Sequence, residues 1–173
     1  MARPRPLTRL REQPKNDVRE PVIAFSFSST WQRFWRMPTP NRRLVVETML
    51  GLALARIVIA LLPVRRIGWL ASWPARRPEP PPTTRTEIIR RIRWAITACA
   101  SHAPWRAMCF EQGLAAQFLL RRRGIPAVLY VGAALDSQTG FAAHVWVRDG
   151  EVDVVGGEAS GRFGLLTSFP PRP

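Results

Sequence analysis

Two side chains in this sequence have the type and setting for nucleophilic chemistry. Cys109 opens an apolar run that reads as a helix, Cys109-Phe110-Glu111-Gln112-Gly113 and on to Leu120, directly after a Pro104-Trp105 turn. His144 lies in Phe141-Ala142-Ala143-His144-Val145-Trp146-Val147, which reads as a strand. A helix N-terminus lowers a thiol pKa, because its unpaired N–H groups and dipole favour the thiolate, and an imidazole can take the proton. The pair is the equipment of a cysteine hydrolase or acyltransferase. Each residue alone has a plainer explanation: a lone cysteine is usually a small buried hydrophobe, and a strand histidine is usually structural. The helix opening at Cys109, and Trp146 on the same strand face as His144, favour the catalytic pair.

Such a base needs an orienting partner. With Asp149-Gly150 as the two central residues of a hairpin turn, Arg148 pairs with Glu151, Trp146 with Asp153 and His144 with Val155. Asp153 then shares the His144 face one diagonal step away, about 7–8 Å between backbones. Glu158, just past Gly156-Gly157, can fold back instead. Asp153 is the preferred third member, although either carboxylate can be simply solvated.

The elements that must hold these residues follow from periodicity and punctuation. Residues 1–30 are polar, basic and proline-containing and are expected to be flexible. Trp31, Phe34, Trp35 and Met37 form an apolar knot before Pro38-Thr39-Pro40-Asn41, a helix start with Thr39 or Asn41 as N-cap. The helix runs from about Arg42 to Leu62 and stops at Pro63. It is apolar almost all round. Glu47 and Arg56, nine residues apart, fall on opposite faces and cut the run below the ~18 uninterrupted apolar residues of a spanning helix. A buried helix is therefore favoured over a membrane-surface one.

Val64 to Trp73 adds a short helix or turn, and Pro74 to Pro82 is a stiff linker. Thr84 and Glu87 have capping-box spacing. The helix after them carries the stripe Ile88, Ile89, Ile92, Ala95, Ile96 and Cys99, and ends near His102. Cys99 and His102 share a face but are too few for a metal site. The Cys109 helix ends at Arg121-Arg122-Arg123-Gly124, with cations in the last turn and a glycine beyond it. Strands follow at 127–134, 142–148 and 151–155, with a loop from Asp136 to Gly140. The fold class is α+β, organised as a segment 1–30, a helical region with linker 31–82, and a core 83–170.

A chain of 173 residues is one domain with appendages. Two cysteines and two histidines cannot furnish a zinc module, and Cys99 and Cys109 give no disulfide framework. No metal or organic cofactor is expected. With no secretory signal near the start, a reducing cytoplasm is the expected compartment. The net charge of +14 is uneven: 23 basic against 7 acidic residues through Arg123, then three against five. That surplus suits an acidic peptide, a protein partner, a membrane surface or RNA. The lack of basic–aromatic alternation on a nucleic-acid fold counts against RNA.

Taken in order, the apolar helix, the basic proline linker, Pro104-Trp105 with Cys109, Leu120-Arg121-Arg122-Arg123-Gly124-Ile125-Pro126-Ala127, Ala143-His144-Val145-Trp146-Val147 and the Asp149-Gly150 hairpin resemble the lasso-peptide maturation proteases. These transglutaminase-like cysteine peptidases strip the leader from a lasso precursor, and the resemblance spans roughly Phe34 to Leu166. It implies Cys109 as nucleophile and His144 as general base and then acid. It also implies a papain-like core, with the nucleophile helix packed on an antiparallel sheet. Family members place an Asp about a dozen residues after the histidine. Here that neighbourhood is Val154-Val155-Gly156-Gly157, so Asp153, Glu158 or a Cys–His dyad must serve. The resemblance further implies a stand-alone protease acting on a precursor peptide, with a separate leader-recognition protein and an ATP-dependent cyclase as partners. Two rivals remain: acyl transfer to an amine on the same scaffold, and a non-catalytic basic module binding RNA or anionic membrane.

Overall fold

The computed structural model describes residues 34–74, 77–136 and 140–171. The segment expected to be flexible, Trp31, two linker residues and part of the 136–140 loop lie outside them. The chain runs α1 (Thr39–Leu61), α2 (Val64–Ala71), α3 (Pro82–His102), α4 (Cys109–Arg121), β1 (Val128–Asp136), β2 (Gly140–Asp149), β3 (Val152–Val155), a 3-10 turn (Gly157–Arg162) and β4 (Gly164–Phe169). All strand pairings are antiparallel, in the order β3-β2-β1-β4. The expected α+β arrangement, helices on a small antiparallel sheet, is the one found.

The core surrounds α4. Ala115, Ala116, Leu119 and Leu120 of that helix meet Leu44 and Leu52 of α1, and Ile92, Ile96 and Cys99 of α3. On the sheet side they meet Leu129, Val145, Val147 and Val154. Gly113 brings α4 close to the sheet, since a Cβ there would lie 2.8 Å from Val145 Cγ1. Gly124, at φ +85° and pressed against the Pro78 carbonyl, is the glycine stop expected after the arginines.

Helix α1 is bound to α4 along its length, and so belongs to this core. Glu47 accepts hydrogen bonds from Arg123 at the far end of α4 (Nη2, 2.6 Å), and Arg56 reaches Glu111 at the near end (3.0 Å). Between these ties Gly51 lies against Ala115. The nine-residue spacing predicts opposite faces, yet both side chains serve α4, because the long Arg56 side chain carries its guanidinium round the helix. Burial is one-sided. Leu44, Thr48, Leu52 and Ala55 are buried, whereas Val46, Leu50, Leu54, Ile57 and Leu61 are exposed. The expectation of a buried helix holds for one face only.

Two helix starts differ from expectation. Pro38 and Pro81 occupy the N-cap positions of α1 and α3, and neither helix has a side-chain cap. Proline in the first turn lacks an N–H that would be unpaired anyway, and its φ is already helical. Thus α3 begins two residues before Thr84, and Glu87 pairs with Arg90 on the surface instead of closing a capping box.

The hairpin is shifted by one residue. Asp149 pairs with Val152, leaving Gly150 (φ +59°) and Glu151 in the turn. A bulge between Val147 and Arg148 then sets Arg148 opposite Asp153 and Val147 opposite Val155. Asp149 stays in the strand because Arg85 of α3 takes its buried carboxylate in a two-pronged ion pair (2.6 and 2.5 Å). Strand β4 was not expected, since Leu165 and Leu166 are adjacent and both exposed, which gives no alternation. It pairs with β1, so the chain between β3 and β4 must cross one face of the sheet.

Candidate active site

Cys109 is the first residue of α4, after an extended Met108. The approach to it is pinned by Glu111. One oxygen of this buried carboxylate accepts hydrogen bonds from the Trp105 indole N–H (3.1 Å) and the Met108 backbone N–H (3.3 Å), and the other pairs with Arg56. Gln112 Nε2 donates to the Ala107 carbonyl (2.9 Å). These bonds give the spacing of Trp105, Cys109 and Glu111 a physical basis: a buried carboxylate at the third helical position reaches back to hold the chain that delivers the thiol. The Cys109 side chain is partly exposed, and the first N–H groups of α4 have no acceptor within the helix. Cys99 is the opposite case: it is buried, its Sγ lies 3.6 Å from the Val45 carbonyl, and burial pushes its thiol pKa up to about 11.

His144 sits on β2 opposite Gly132. Its ring stacks on Phe163 (centroids 5.0 Å apart) and lies nearly parallel to Trp146 (6.1 Å), which in turn stacks on Tyr130 (5.7 Å). Nε2 is 2.8 Å from the carbonyl oxygen of Gly156. A carbonyl only accepts, so in the neutral ring Nε2 carries the proton and Nδ1 is the basic nitrogen. Gly156 is at φ +75°, and a Cβ there would lie 2.6 Å from the Val145 carbonyl oxygen and 3.3 Å from Nε2. Only glycine fits that turn.

The two candidate carboxylates are engaged elsewhere. Asp153 accepts from Arg148 Nε (2.6 Å) and crowds the Cα of Gly157, while Glu158 pairs with Arg93 at the surface. Neither is hydrogen-bonded to His144. The one-residue turn shift and the bulge account for this by moving Asp153 from opposite Trp146 to opposite Arg148.

Cys109 and His144 are not in hydrogen-bond contact, and among the described residues neither Sγ nor Nδ1 has another hydrogen-bond partner. Strand alternation is the reason. Val145 and Val147 face α4, so His144, Trp146 and Arg148 face the other way, toward the crossing segment that carries Phe163. The His144 half of β2 has no β3 neighbour, because β3 pairs only from Val147 to Asp149. The imidazole therefore stands at a rim of the sheet. Apart from the Gly156-Gly157 pair, the sequence carried no signal for the Gly156 carbonyl, and it carried none for Phe163. Among the described residues, no three His, Cys, Asp or Glu side chains are grouped to hold a metal ion.

The sequence model of the transglutaminase-like superfamily matches residues 53–168, from the middle of α1 into β4. The chain belongs to that superfamily. The match takes in Cys109, His144, Asp153 and Gly156, in a superfamily whose typical chemistry is that of cysteine peptidases and acyltransferases. No curated protein and no solved structure is significantly similar to it.

Proposed function

We propose that this transglutaminase-like chain is a cytoplasmic cysteine peptidase that removes the leader from a lasso-peptide precursor. The observation that carries the reading is the orientation of His144. Its Nε2 is held by a backbone acceptor twelve residues on, where the resembled family has its aspartate, and Nδ1 is left free for a thiol. Cys109, at the first position of α4, supplies that thiol.

In the proposed reaction the Cys109 proton passes to His144 Nδ1 as Sγ bonds the scissile carbonyl carbon. The tetrahedral oxyanion is met by N–H groups at the start of α4. The C–N bond then breaks, and the imidazolium gives its proton to the leaving amine, the new N-terminus of the core peptide. Water, deprotonated by the same imidazole, hydrolyses the thioester to release the leader as a carboxylic acid and regenerate the thiol. The reading requires one movement, in which the start of α4 and the β2 rim close on each other as substrate docks while the Nε2–Gly156 bond is kept. Catalytic hydrogen bonds often close only in the substrate complex. Asp153 is a positioning residue here: by pairing with Arg148 and packing on Gly157 it steadies the turn whose carbonyl holds the imidazole. A separate leader-recognition protein would deliver the precursor, and an ATP-dependent cyclase would consume the released amine.

The test is mass spectrometry of a precursor incubated with its recognition protein and either wild type or Cys109→Ala. Leader release by wild type alone supports the peptidase. Cleavage by both variants, or by neither when the precursor is bound, rejects it. Transfer to an amine would use the same residues, and a product heavier by the acceptor's mass less water would favour that second reading.

A further inference from the structure

We propose that the outer face of α1 and α2 docks the protein on an anionic lipid surface. The exposed large apolar residues of α1 form one stripe at helical spacing, Val46, Leu50, Leu54, Ile57 and Leu61, headed by Arg43. Leu50 is 65% exposed and Leu61 75%, more than a water-facing surface requires. By length and composition α1 is apolar enough to cross a membrane. It cannot do so here, because its other face is buried in the core and Arg56 is tied to buried Glu111. It can lie on a membrane.

Helix α2 extends the same surface. Leu54, Leu70, Trp73 and Phe118 border one apolar groove of about 660 Å³, with Arg77 and Arg122 on its margin. Trp69, 62% exposed, packs edge-to-face on Trp73, an amphipathic pair suited to the headgroup boundary. Arg65 and Arg66 on α2 are exposed and form no ion pair among the described residues. An apolar stripe bordered by tryptophans and unpaired arginines complements a bilayer with negative headgroups. A second copy of the chain complements it poorly, since pairing two such faces would bring like arginine rims together.

Flotation of the full chain with phosphatidylcholine vesicles, with and without phosphatidylglycerol, tests this. Wild type should float with the anionic vesicles at least ten-fold more than with the neutral ones. Leu50→Glu with Leu54→Glu should lower the bound fraction at least ten-fold with an unchanged circular-dichroism melt. Arg65→Glu with Arg66→Glu, which leaves the apolar stripe intact, should do the same. Failure of wild type to float with anionic vesicles overturns the proposal, as does binding that survives both double variants. So does a dimer that the leucine variants dissolve in the absence of vesicle binding. None of these residues contacts Cys109 or His144, so leader release from a soluble precursor is a separate readout.

Discussion

Gly156 meets three demands at one position: a left-handed turn, close passage under β2, and a carbonyl aimed at His144 Nε2. Gly156→Ala should destabilise the fold by about 1–3 kcal/mol, read from denaturant melts. Under the proposed function it should also lower kcat for leader release more than it raises KM, since the imidazole loses its orientation while the substrate surface remains. Sequence reading found His144 and searched for a carboxylate beside it. A backbone acceptor has no residue type of its own, and the only trace it left was the Gly156-Gly157 pair. The two thiols make a sharper contrast. Native protein treated with iodoacetamide should be modified at Cys109 and not at Cys99, as peptide mapping would show. Because burial raises the Cys99 pKa to about 11, above its unfolded value near 9, the folded state holds a proton that the unfolded chain gives up between those values. Stability is therefore full below about pH 9 and falls as pH rises toward 11. Cys99→Ala should flatten that slope of the melting temperature.

At the scale of elements, the start of α4 depends on one carboxylate. Glu111→Ala removes the acceptor of the Trp105 and Met108 N–H groups and frees Arg56 from α4. The expected cost is about 2–3 kcal/mol by thermal or chemical melt, and Cys109 alkylation should become less uniform in rate as the helix start frays. The stop of α3 before Pro104 and the Arg-Arg-Arg-Gly stop of α4 were both legible, because proline and glycine act locally. The starts of α1 and α3 were less so. Proline and threonine both signal a beginning, and the choice between them rests on bonds the sequence does not show. The hairpin was legible as a hairpin but misplaced by one residue, because Arg85, 64 positions away, holds Asp149 in the strand. Strand β4 lacked any periodic signal and exists through pairing with β1.

Across the whole molecule, the Arg85–Asp149 pair ties α3 to the hairpin, with the carboxylate buried. Arg85→Ala should cost about 3 kcal/mol, since it strands that buried charge. Glu158→Ala, which breaks an exposed pair with Arg93, should cost no more than about 1 kcal/mol in the same melts. The α1–α4 association has a different consequence. Tied by Glu47 to one end of α4 and by Arg56 to the other, the two helices are joined at both ends, with the Cys109 thiol near one tip and the outward leucines along the back of α1. A flat surface settled under α1 would therefore limit the directions from which a peptide can approach Cys109.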